Sequence, residues 1–209
     1  MRLFFHGLIA ASLCSAFLLH TQSPPADSSP RQVVAQFCEL DSEGMRFDPA
    51  GALRMAKLLL ERSIVKKTPI IIIRDYSISK AKIAEDKADL FVEYVVLGQI
   101  DDHFSFKPFL PGLTEPIKMR VNYHLERQND ARRSSSKLAG GGASQLDAWR
   151  IQYADVPSYV RPQPAIRYLS RIQNSDPIAS NRQNAARTIA ILQHQRKAKL
   201  VSDLKSTTP

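Results

Sequence analysis

The sequence predicts an α+β fold in which N-terminal helices pack on a curved antiparallel β-sheet, with a C-terminal helical extension. Three observations predict it. Ser29-Pro30 and Asp48-Pro49 each open an apolar run at helical spacing, a cap followed by proline in the first turn. Residues 88–100 and 117–127 alternate β-branched or aromatic residues with polar ones. Helical spacing returns after residue 163.

The first helix places Val33, Val34, Phe37 and Leu40 on one face and ends around Asp41 and Gly44. The second puts Leu53, Ala56, Leu59 and Leu60 on its apolar face. Ile70 to Ile73 starts a strand that runs into Tyr76 and Ile78, and Glu85-Asp86-Lys87 reads as a turn. In the next strand Leu90, Val92, Tyr94 and Val96 share one face, with Phe91, Glu93, Val95 and Leu97 on the other. Three prolines and a glycine make 101–116 a loop anchored by Phe104, Phe106 and Phe109. IKMRVNYHLER (117–127) is a half-buried strand: Ile117, Met119, Val121, Tyr123 and Leu125 face inward, Lys118, Arg120, Asn122, His124 and Glu126 outward. An aperiodic loop leads to a returning strand marked by Trp149, Ile151 and Tyr153. Ile166, Leu169 and Ile172 mark a further helix, and Asp176-Pro177 opens a long one with Ala186, Ile189 and Ala190 on one face.

Four segments follow from this reading: 1–23 as a signal peptide or N-terminal anchor, 24–29 as a linker, 30–155 as the α+β domain, and 156–209 as a basic helical extension. Arg2 followed by the apolar stretch Leu3–Leu19 has the form of a secretory signal, so the protein is expected to be exported, periplasmic or secreted. The same stretch left uncleaved would anchor it in the membrane. The 44% hydrophobic and 23% charged residues suit a chain that can bury a core. Its net charge of +9 lies almost wholly after residue 127, where 13 Lys/Arg face 5 Asp/Glu. With the signal removed, Cys38 is the single thiol, which excludes an intrachain disulfide; it reads as a small apolar core residue.

VVAQFCELDSEG (33–44), FVEYVVLGQI (91–100) and the hairpin IKMRVNYHLERQ…AWRIQY resemble the NTF2-like (SnoaL-like) superfamily. The resemblance spans about residues 30–155 and implies a cone-like domain whose curved sheet encloses a pocket. Chains of that superfamily often end near the last strand, whereas here some 50 residues follow.

Polar strand residues are the candidates for such a pocket. Glu93, Tyr94, Tyr123 and Trp149 are the pocket candidates, with Asp75, Asn122 and His124 also considered. Glu93 is expected to pair with Arg120 across strands, and His124 to face solvent on the polar side. Asp101-Asp102-His103 lacks a second ligand set for a metal. Gly140–Gly142 lacks a phosphate-loop context, and no nucleophile elbow is present. No catalytic set or cofactor is therefore expected. The expected function is an exported, non-catalytic ligand-binding or protein-interaction module; the alternative is a small-molecule isomerase, cyclase or hydratase using an acid–base pair in the cavity. The expected partners are a small apolar ligand, a second copy or an envelope protein. Arg182, Arg187, Arg196, Lys197 and Lys199 suit an anionic surface, and without interleaved aromatics they do not suit nucleic acid.

Overall fold

The computed structural model describes residues 28–61, 69–109, 117–128, 148–152 and 157–206, with side chains to residue 195. The N-terminal apolar segment, the loop after Gln128, Tyr153 and the side chains of Arg196, Lys197 and Lys199 lie outside the described residues. The architecture is α+β: N-terminal helices, a curled, mostly antiparallel sheet and two C-terminal helices.

Helix α1 (Pro30–Ser42) begins where the sequence places it. Ser29 Oγ accepts from Gln32 N, and Gln32 Oε1 accepts from Ser29 N at 2.7 Å, a reciprocal capping box. Gly44 follows at φ 73°, the left-handed conformation that stops a helix and that a side chain resists. A single 3-10 turn, Met45–Phe47, leads to α2 (Pro49–Ala56), capped by Asp48 through Gly51 N at 2.8 Å. Helix α2 stops earlier than the apolar pattern suggests. Leu53 is 61% exposed, while Leu58 and Leu59 are buried beyond the helix end. There Leu58 O accepts from Ile151 N and Leu60 N donates to Ile151 O, so the chain lies along a strand instead of continuing the helix.

Among the described residues the strands are β1 (Ile70–Ile78), β2 (Lys82–Ala84), β3 (Lys87–Ile100), β4 (Phe106–Pro108), β5 (Ile117–Gln128), β6 (Ala148–Ile151) and β7 (Ser158–Val160). Five run in the order β6-β5-β3-β1-β7, and β2 and β4 add short pairings to β3. Of these strands β1 and β7 pair in parallel, Ile70 to Ser158 through Ile72 to Val160. Two breaks in the β1–β3 register, at Ile72/Ile73 and Ile73/Asp75, are bulge-like irregularities of the kind that bend strands and curl a sheet into a half-barrel. Two elements correct the sequence reading. Residues 106–108 form β4 within the expected 101–116 loop, and 158–160 form β7, which carries the sheet past residue 155.

One face of the sheet carries the larger core, and the other is buried only around Ile70, Ile72, Ile100 and Val160. On the concave side Val33, Val34, Phe37 and Cys38 of α1 pack on Ile71, Ile73, Leu90, Val92, Tyr94, Tyr123, Leu125 and Trp149. On the convex side α3 (Pro162–Ser175) and α4 (Ala179–Ser206) pack through Ala165, Ile166, Leu169, Ala185, Ile189 and Leu192 on Ile70, Ile72, Ile100 and Val160. The buried stripe of α4 is therefore Ala185, Thr188, Ile189 and Leu192; Ala190, expected on it, is exposed. Thr188 Oγ1 donates to Phe104 O at 2.8 Å and accepts from Phe106 N at 3.1 Å, fixing the β3–β4 loop to α4.

At the surface Arg161, before α3, reaches back to α1: its Nη1 lies 3.0 Å from Glu39 Oε1 and 2.9 Å from Glu43 Oε1. These groups are partly solvated, so the tie is modest. Arg161→Ala is expected to lower stability by about 1 kcal/mol in low salt and by less at high ionic strength. Urea denaturation at two salt concentrations checks this.

Candidate functional site

Side chains from three strands and one helix meet on the concave face. β3 brings Tyr94, β5 Tyr123, β7 Tyr159 and α1 Cys38, each inward because alternation or helical spacing puts it there. Tyr94 Oη lies 2.9 Å from Tyr123 Oη and 3.2 Å from Cys38 Sγ, so these groups satisfy one another. The rings are equally fixed. Tyr159 stacks on Tyr94 at 3.9 Å with 5° between planes, and Phe37 meets Tyr123 edge-on at 5.9 Å. Burial pushes the Cys38 thiol up to about 12 and the Tyr94 and Tyr123 hydroxyls well above their ordinary value. None of these groups is poised to exchange a proton near neutrality.

Behind this cluster Asp41 is fully buried at the end of α1. Its Oδ1 and Oδ2 take Arg46 Nε and Nη2 at 2.8 and 3.0 Å, and Oδ2 also accepts from Tyr159 N at 3.0 Å. One carboxylate thus joins α1, the 3-10 turn and β7. Arg46, itself buried, lies over the Phe37 ring at 5.4 Å. Burial pushes the Asp41 carboxyl up to about 6, against the pull of Arg46 and of the Tyr159 N–H. A carboxyl raised above its unfolded value favours the fold while protonated, and that contribution is lost as the pH rises through about 6. The stability of the wild type minus that of Asp41→Asn is therefore expected to fall between about pH 4 and 6. Paired denaturation curves across that range check the sign; a flat or rising difference contradicts it.

No family model, curated protein or solved structure matches this chain.

The structure brings together two of the four pocket candidates. Tyr94 and Tyr123 meet in the core, and Trp149 is buried in the same core on β6, two strands from Tyr94. Glu93 is on the opposite face. It stands in register with Arg120, as expected, but its ion pair is with Lys118 at 2.8 Å, and Arg120 instead lies over the Phe91 ring at 3.9 Å. The alternation of β3 explains its position: buried even-numbered neighbours leave the odd-numbered side chains on the outer face. Asp75 is exposed and accepts from Tyr76 N. His124 and Asn122 are exposed on the outer face, where His124 Nδ1 bonds Asp89 Oδ1 and its Nε2 lies 3.2 Å from Asn122 Nδ2. This hydrogen-bonded acid–base pair is exposed on the outer face, across the sheet from the Tyr94–Tyr123 cluster.

Asp101 Oδ1 accepts from His103 N and Ser105 N, and its Oδ2 meets Lys107 Nζ at 3.0 Å, so the acidic trio is a self-contained turn. Among the described residues no group of three His, Cys, Asp or Glu is placed to hold a metal ion. Nor is any described helix long and apolar enough to cross a membrane. Arg182 donates to the carbonyls of Asp176 and Pro177 at the start of α4, and Arg187 is exposed.

Sequence reasoning missed Asp41, Arg46 and Tyr159. A signal was present for Asp41, because an acidic residue in the last turn opposes the helix dipole and needs a partner. Tyr159 gave no signal, since three residues are too few for a period.

One part of the concave face is less closed than the rest. Along β5 the inward residues Ile117, Met119 and Val121 are half-buried, whereas Tyr123 and Leu125 are fully buried. Tyr76 and Ile78 on β1 and Phe109 beyond β4 are likewise half-buried against the same core.

Proposed function

We propose that this chain is an exported, non-catalytic binding module of NTF2-like form, whose concave face takes a small apolar ligand. The observation that carries the reading is the half-buried apolar row Ile117, Met119 and Val121, with Tyr76, Ile78 and Phe109 half-buried against the same core. Side chains that stay partly in water although they are apolar are what a binding groove presents. The non-catalytic part is supported by the mutual satisfaction of Tyr94, Tyr123 and Cys38, whose protons are held far from neutrality. Export is supported by the basic and apolar pattern of Met1 to Leu19. The NTF2-like form is supported by the helix-before-sheet order and the curled sheet.

Native mass spectrometry of the protein purified from its own compartment tests this reading. An adduct that survives gentle ionisation and leaves on denaturation is expected. A bare protein together with measurable turnover of a small molecule would overturn it in favour of an enzyme.

A further inference from the structure

We infer that the ligand of this groove is an uncharged apolar molecule carrying one hydrogen-bond-accepting oxygen, and that Tyr159 Oη donates to that oxygen in the place now held by the Met119 sulfur. The inference rests on the reading of the concave face as a binding surface, and it adds the chemistry of the ligand and the residue that recognises it.

Four of the described tyrosine hydroxyls belong to this face, and their partners differ in kind. Tyr94 and Tyr123 bond each other, with Cys38 beside them. Tyr76 donates to the Glu39 carboxylate at 3.0 Å. Tyr159 donates to Met119 Sδ at 3.3 Å. A thioether is a weak acceptor, and a hydroxyl held against one gains by exchanging it for oxygen. Met119 is also the side chain best able to yield. It is half-buried, in the middle of the open row, with an unbranched chain that re-packs readily.

Tyr159 is held in place from both ends. Its ring stacks on Tyr94, and its backbone N–H is bound by buried Asp41. A donor fixed in advance costs little ordering when the ligand arrives. Burial pushes this hydroxyl up to about 12, so it keeps its proton and acts as a donor.

The surroundings select against charge. Ile78, Phe109, Ile117 and Val121 supply only apolar surface. Of the nearby charges, Glu39 takes Arg161 through both oxygens, and exposed Arg31 reaches the Ile78 carbonyl through Nη2 at 3.5 Å. A charged head entering the row would lose its hydration, and the one cation at its edge, Arg31, is in water, where an ion pair returns little. A ketone, ester, ether or alcohol oxygen on an apolar body fits instead.

The test uses three probes of closely similar shape, 4-phenyl-2-butanone, butylbenzene and 3-phenylpropionate, titrated into the exported chain and followed by backbone amide NMR. The ketone is expected to bind the wild type about five- to tenfold more tightly than the hydrocarbon, the worth of one neutral hydrogen bond. Tyr159→Phe keeps the stacked ring and is expected to bind both equally. Met119→Ala removes the competing sulfur and is expected to bind the ketone at least as tightly as the wild type does. If ketone and hydrocarbon bind the wild type alike, the groove stands and the role of Tyr159 fails. That role fails too if Tyr159→Phe retains the ketone preference. Tightest binding by the carboxylate overturns the uncharged class. If no probe shifts the amides of Ile117, Met119 or Val121, the groove reading fails as well.

Discussion

Asp41→Ala is expected to destabilise the protein by about 3–5 kcal/mol, because it leaves the Arg46 guanidinium buried without its carboxylate. The loss has two parts: the two short contacts to Arg46 go, and the Tyr159 N–H loses its acceptor and with it one tie between α1 and β7. Replacing both partners by apolar residues of similar volume, Asp41→Leu with Arg46→Met, is expected to restore most of the stability, since the desolvation cost of two buried charges disappears with them. Guanidinium denaturation of the two single variants and the double variant makes the comparison. Equal losses in the single and double variants would show that packing, and not the charge, carries the effect.

Leu192→Ala, on α4, is expected to cost about 2–5 kcal/mol as a cavity in a fully buried site. The more informative result is which signals move. Leu192 belongs to the convex core and Trp149, the one tryptophan of the chain, to the concave core. β1 lies between them and serves both, with Ile70 and Ile72 on one side and Ile71 and Ile73 on the other. The two cores should therefore unfold together. Tryptophan fluorescence and far-ultraviolet circular dichroism are expected to shift by the same amount in this variant, with unchanged slopes. If the circular dichroism moves and the fluorescence does not, the C-terminal helices are an appendage that melts on its own.

Much of this fold is legible in the sequence wherever a period is long enough to read. Ser29-Pro30 and Asp48-Pro49 start the helices they announce, and alternation assigns Ile117 to Glu126 of β5 to their observed faces. Tyr94 and Tyr123 are placed inward by the same rule. The failures have local causes. Strand β7 is three residues long, and its pairing with β1 is a long-range choice that no short window contains. The end of α2 is decided by hydrogen bonds between Leu58, Leu60 and Ile151, which take the place of another helical turn. Glu93 looks buried among apolar neighbours along the chain, but its neighbours across the sheet are Ser77 and Arg120, and it stays in water. The site was less legible than the fold. Its polar contacts join α1 to β3, β5 and β7, and nothing in their separate segments pairs Asp41 with Tyr159.

That last contact joins residues 118 apart in the chain, which bears on how the molecule is made. Closing so large a loop costs entropy before any contact repays it, and a parallel strand pair is a late and slow addition. As the chain folds, the first helix and the long hairpin can assemble early, yet the Asp41 carboxylate has only Arg46 until residue 159 joins. A chain that stops short of residue 159 can still pack α1 on β3 and β5, but it lacks the contact that ties the end of that helix to the far edge of the sheet.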